Sequence, residues 1–170
     1  LEKDLFIKLF GTSIFYRLDR IFDWQSGSGL QLENALAAIG SAGLFGHGFN
    51  KTPIYFPEAS TDFIFAVFAS NFGLVGSLIL IGIIILFDVS IINLARRKII
   101  DTDKYIIAGI IGMLIFQQVQ NIGMTVGLLP ITGITLPFIS YGGSSLLSYM
   151  ILIGIVLNIS NGKDITYKYK

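Results

Sequence analysis

Phe63 to Phe87 holds no Asp, Glu, Lys or Arg. A bilayer's hydrocarbon core takes about 20 helical residues, so this run predicts one membrane-spanning helix at about 63–87. A charged cluster ends it: Arg96, Arg97, Lys98, Asp101, Asp103 and Lys104. Tyr105 to Gly162 is again uncharged, and far too long for a single crossing. The stretch LLPITGITLPFISYGGSS (128–145) shows where it breaks, because Pro130, Gly133, Pro137, Gly142 and Gly143 all disfavour continuous helix. The pattern therefore predicts further spans at about 105–128 and 144–160. Residues 1–61 are different, with charges scattered throughout. Within them LQLENALAAIGSAGLFGHG (30–48) is apolar but short and glycine-rich, which fits either a surface helix or a re-entrant piece. DWQSGSG (23–29) reads as a turn or loop.

Composition sharpens the class. Of 170 residues, 53% are hydrophobic and 14% charged, against about 25% charged in soluble domains. A net charge of +1 and the lack of a basic-aromatic stripe argue against nucleic acid as a partner. With no cysteine there is no disulfide, thiolate nucleophile or cysteine metal site. The chain begins at Leu1 without the layout of a signal peptide, and reads as the C-terminal part of something longer. The expected fold is an all-α polytopic membrane protein: residues 1–61 as a large extracytoplasmic loop with short helices, then three transmembrane helices within 62–170. Arg96, Arg97, Lys98 and Lys104 fall on the same side as Lys163, Lys168 and Lys170, as three crossings require. Lys and Arg favour the cytoplasmic side. Loop 88–104 and tail 161–170 are thus expected inside, with residues 1–61 and 129–143 outside.

Candidate chemistry gathers on the outer side. Asp62 stands just before an apolar run, where a carboxylate at a water–lipid boundary can serve as a general base. It equally suits a helix N-terminus, together with Thr61. Glu58, four residues earlier, can join Asp62 on a divalent cation or stand as a solvated loop acid. SYGGSS (140–145) sets Ser140, Tyr141, Gly142, Gly143 and Ser144 ahead of the last span, an arrangement that fits either a phosphate-type ligand or a capped tight turn. It is not a P-loop, since the lysine and the spacing are absent. Inside the second span Gln117, Gln120 and Asn121 share one helix face, either for interhelical hydrogen bonds or as a polar cavity wall. His47 is the single histidine and reads as a loop residue.

Four stretches carry a resemblance: AIGSAGLFGHGF (38–49), PEASTDFIFAVF (57–68), GLVG (73–76) and NIGMTVGLLPITGITLPFISYGGSSLL (121–147). Together they resemble the SEDS family, the shape, elongation, division and sporulation proteins typified by RodA and FtsW, with NIGMT and FIFAVF leaning toward the RodA branch. The resemblance implies a peptidoglycan glycosyltransferase of the bacterial cytoplasmic membrane. It would polymerise lipid II at the outer face, beside a class B penicillin-binding protein. Asp62 falls on the family's essential aspartate, and Glu58, Thr61, Ser140, Tyr141, Gly142, Gly143 and Ser144 become candidate substrate contacts. Mg²⁺ or Mn²⁺ is implied as a cation, with no organic cofactor. The sequence departs from the family at Ser60, usually histidine, and at Ala69-Ser70-Asn71-Phe72, where an acidic pair is common. Two other readings stay open. One is a lipid II flippase with Gln117, Gln120 and Asn121 along its path; the other is a non-catalytic scaffold for the penicillin-binding protein.

Overall fold

The structure, a computed structural model, describes residues 30–54, 59–96 and 100–161. Among the described residues it is all helix: α1 (Leu30–Ser41), α2 (Ile64–Arg96), α3 (Asp101–Thr125) and α4 (Gly143–Asn161). The last three are long and apolar enough to cross a membrane. The short apolar segment after residue 30 is a 12-residue helix, too short to span.

The expected first span at 63–87 needs correction, because α2 is not one rod. Gly73 breaks it with φ 67° and ψ −164°. Two hydrogen bonds show how sharply. Asn121 on α3 bonds the Asp62 carbonyl, and Gln118, one turn earlier, bonds the Asp88 carboxylate. A straight helix would separate positions 62 and 88 by about 39 Å at 1.5 Å per residue. Two side chains one turn apart cannot reach both ends of that distance. The short arm 64–72 therefore folds back beside the long arm 74–96, with Gly73 at the apex. Both arms line a cavity of about 340 Å³, through Phe65 and Ala69 on one side and Leu74, Ser77, Leu78 and Ile81 on the other. The long arm runs on past Asp88 to Arg96.

A broken helix leaves backbone groups without partners, and in an apolar setting each one is costly. The segment after α1 supplies them. His47 N–H donates to the Ser70 carbonyl at 3.0 Å and Gly48 N–H to the Asn71 carbonyl at 3.0 Å. In return Leu74 and Val75 N–H donate to the carbonyls of Gly43 and Leu44, both at 3.1 Å. This exchange requires the two chains to touch backbone to backbone. Gly46 (φ 75°) and Gly73 lie so close that a Cβ on either would overlap the other's neighbourhood. Side chains add to the seal: Thr52 Oγ1 donates to Asn71 Oδ1 at 3.0 Å, and Ser41 Oγ pairs with His47 Nε2 at 3.0 Å. His47 is thus an exposed loop residue, as expected, with its backbone in the seal.

Apolar packing forms two clusters. One joins α1 to the start of the short arm: Ala35, Ala38, Phe63 and Ala66, with Ile131 against them. The small residues of α1 let the two helices approach closely. The other joins the long arm, α3 and α4: Ile91, Ile107, Ile110, Ile111, Leu114, Tyr149 and Val156. Most large apolar side chains elsewhere on α2 and α4 are exposed, as lipid-facing surfaces are.

Replacing Gly46 by alanine should unfold the seal locally. The left-handed φ and the backbone overlap together predict a loss of about 1–3 kcal/mol, or roughly 2–4 °C of thermal midpoint per kcal/mol, measured in detergent micelles. Gly82→Ala is the control, since nothing lies within 4 Å of its added Cβ. It should stay within about 1 kcal/mol of the native chain.

Candidate active site

The site is assembled where α3 ends. Gly127 takes a left-handed conformation (φ 75°). Leu128 N–H reaches back to the Gly123 carbonyl at 2.8 Å and Gly127 N–H to that of Met124 at 3.2 Å. This is a Schellman closure, which satisfies the last carbonyls of a helix while turning the chain away from its axis. Pro130 then prevents helix from resuming. The loop 129–142 that follows folds back over the end of α3, within reach of its polar residues.

Three of those contacts bring distant segments together. Gln120 Nε2 donates to the Pro130 carbonyl at 2.9 Å. Asn121 Nδ2 donates twice, to the Ile134 carbonyl at 2.7 Å and to the Asp62 carbonyl at 2.8 Å. Farther along the loop, Ser140 Oγ accepts from Leu136 N–H at 2.7 Å and donates to the Thr61 carbonyl at 2.7 Å. Tyr141 N–H donates to the Ser60 carbonyl at 2.9 Å. Residues 60, 61 and 62 are therefore each held, in order, by one residue from the far end of the chain.

The Asp62 carboxylate itself lies over Gly133. A Cβ built at Gly133 would stand 3.2 Å from Asp62 Oδ2, and Gly133 has φ 71°. Glycine is needed here on both counts: for the left-handed backbone and for the clearance. Asp62 is half-buried, so its carboxylate is partly shielded and still reachable. Behind the loop, Thr135 Oγ1 pairs with the Tyr149 hydroxyl at 3.1 Å. Phe138, at φ 64°, packs between Phe87 and Tyr149 with ring centroids 5.6 and 5.3 Å away. The loop is thus fastened to α2 and α4 as well as to α3.

The structure places the sequence candidates as follows. Asp62, Thr61, Ser140 and the Tyr141 backbone meet in one cluster, and the Tyr141 ring is exposed. Gly142, Gly143 and Ser144 lead into α4, the last two exposed, with Ser145 Oγ bonding back to the Gly142 carbonyl at 3.0 Å. Glu58 lies outside the described residues. Gln120 and Asn121 bond to backbone, while Gln117 Oε1 is buried without a hydrogen-bond partner. Sequence reasoning passed over Gln118 and Asp88, which meet at 3.1 Å beside an apolar groove between the long arm and α3. Counting the charge-free run only as far as Phe87 left Asp88 outside the span. Its signal was an uncharged amide, Gln118, set among apolar residues on the next helix and needing a polar partner. Among the described residues no group of three His, Asp or Glu stands together as a ready cation cage.

Comparison with known proteins points in one direction. The FtsW/RodA/SpoVE family model, described as "Cell cycle protein", matches residues 6–165. A probable peptidoglycan glycosyltransferase FtsW of Coxiella burnetii is 44% identical over 85% of this chain and 42% of its own length. The peptidoglycan glycosyltransferase RodA of Treponema pallidum is 39% identical over 78% of this chain and 32% of its own. These values do not separate the RodA branch from the FtsW branch. The chain spans less than half the length of either relative. Among solved structures, a chain from a peptidoglycan synthase complex described for its coordination of polymerization and crosslinking superposes with TM-score 0.72 at 31% identity, over 85% of this chain and 41% of that one.

Ser140→Ala removes an acceptor and a donor from the loop at one stroke. Losing the acceptor for the Leu136 N–H and the hydroxyl donor to the Thr61 carbonyl should cost about 1–3 kcal/mol. Amide hydrogen exchange at Leu136 should then accelerate about tenfold for each 1.4 kcal/mol lost, while the Leu128 amide in the α3 closure keeps its native rate.

Proposed function

This chain belongs to the FtsW/RodA/SpoVE family of cell cycle proteins, and from that premise we propose that it carries the catalytic carboxylate of a peptidoglycan glycosyltransferase acting on lipid II. The observation that bears the most weight is the Asp62 carboxylate over Gly133, in a cluster tied by Asn121, Ser140 and Tyr141. Relatives 44% and 39% identical to this chain are named for the same activity.

The chemistry follows from the carboxylate. A 4-hydroxyl of the acceptor GlcNAc attacks the anomeric carbon of the donor's lipid-linked sugar. The new C–O bond forms as the bond to undecaprenyl pyrophosphate breaks, with inversion. Asp62 accepts the hydroxyl proton, which needs a base within hydrogen-bond reach of the attacking oxygen. Thr61, Ser140 and Tyr141 shape the wall beside it, and Gly142, Gly143 and Ser144 stand where α4 begins. The departing pyrophosphate is multiply charged and calls for cationic stabilisation. Asp62 and Glu58 are the carboxylates that would help hold a divalent cation, Mg²⁺ or Mn²⁺, which would neutralise that charge.

The same reading places the protein in the bacterial cytoplasmic membrane, with the Arg96 and Lys104 end inside and the Asp62 cluster toward the outer face. A class B penicillin-binding protein is the proposed partner, in keeping with the synthase complex that superposes on this fold. Two amides offered for a transport path, Gln120 and Asn121, are engaged by backbone carbonyls, which favours catalysis over transport.

Asp62→Asn in the full-length protein tests the assignment. General-base loss predicts a fall of about 10²–10⁴ in lipid II polymerisation, with folding and partner binding retained. Glycan chains made at the native rate by this variant would refute it.

A further inference from the structure

Asn121 is fully buried, so it acts through whatever it holds rather than on a substrate. What it holds is unusual. One amide nitrogen donates to two carbonyls from separate segments, Asp62 at 2.8 Å and Ile134 at 2.7 Å. Asp62 carries the candidate base, and Ile134 directly follows Gly133, over which that carboxylate lies. The two halves of the facing pair are thus joined through one side chain. An amide NH₂ has two N–H groups on one nitrogen, and no other uncharged side chain of this length does. Flipping the amide would set Oδ1 against both carbonyl oxygens, so the observed orientation is forced. In it Oδ1 is buried and accepts no hydrogen bond. Self-satisfaction therefore does not explain the residue's placement; the double donation does.

We infer that Asn121 is a positioning residue for glycosyl transfer, fixing the Asp62 carboxylate against the Gly133 loop by donating to both backbones at once. This rests on the proposed reading of Asp62 as the base. Ser140 and Tyr141 hold the two residues before Asp62, and Asn121 sets the distance between base and loop. Misplacement of a reacting group by about 1 Å can cost about a hundredfold in rate. The expected signature is in turnover, with substrate binding spared.

The test uses full-length protein and purified lipid II, with kcat and KM measured across pH for Asn121→Asp and Asn121→Ser. An ionised aspartate donates no bond, so kcat of Asn121→Asp should fall about a hundredfold at neutral pH, with KM within about threefold of native. Protonation returns one O–H donor. The ratio of variant to native kcat should therefore rise as the pH is lowered, a trend that mere loss of packing would not produce. Asn121→Ser offers a single donor and should fall between the two. It carries the test alone if the thermal midpoint shows that Asn121→Asp does not fold. Native-like kcat in a folded variant, a raised KM with kcat intact, or a pH-independent ratio for a folded Asn121→Asp would each overturn the inference. Asp62→Asn, assayed in parallel, separates the failures. If it still polymerises, the functional reading is wrong. If it is dead while both folded Asn121 variants are native-like, only the positioning role is wrong.

Discussion

Four backbone hydrogen bonds between residues 43–48 and the break at Gly73 determine the rest of the architecture. A chain within or near lipid can reverse direction only if its peptide groups find partners. Here the turn segment after α1 offers two N–H donors and two carbonyl acceptors in register with the ones the helix gives up. That exchange lets the short arm return toward α3 and brings residues 60–62 to the end of that helix. A second junction then takes over, as Asn121 of α3 and Ser140 and Tyr141 of the loop 129–142 donate to the carbonyls of residues 60–62. Both junctions use a glycine at positive φ where the chains come closest, Gly73 in one and Gly133 in the other.

A carboxylate placed in this way differs from one on a mobile loop. Its own backbone and its neighbours in sequence are bonded to residues 59 to 81 positions away, and those residues sit on or next to helices. Precision at reactive groups depends on such support from behind. Polar side chains of α3 serve the backbone of other segments, which explains how a largely apolar helix tolerates them at depth. Gln118 follows the same logic toward Asp88, so that carboxylate is paired although it lies inside a helix long enough to span.

Much of this was legible in the residues, for reasons that can be named. Long charge-free runs marked the spans, and the Pro and Gly positions between 130 and 143 marked the loop that joins the last two. The motif-level resemblance singled out Asp62, and the structure sets its carboxylate beside that loop. The reversal at Gly73 was not legible. No charge or proline interrupts the apolar run there, and a lone glycine in such a run is common. The signal lay elsewhere, in Gly46, where a Cβ would run into the backbone of Asn71 and Gly73. Asp88 was missed because a charge at the edge of an apolar run looks like its end. Asn121 was recognised as polar and inward-facing, but a helical wheel cannot show that its partners are two carbonyls from other segments.

The last helix shows how little contact can orient an element. Of the 19 residues of α4, Tyr149 and Val156 alone are buried. They lie two turns apart on the same face. One touches the loop through Thr135 and Phe138; the other joins the inner cluster with Ile107 and Leu114. A rod held along one side, with Leu152, Ile153 and Ile159 half-buried against the same cluster, has its direction set, and the opposite side is left exposed. Substitutions among those exposed positions can drift with the thickness and chemistry of whatever surrounds them, while the Asp62 end of the bundle keeps its shape.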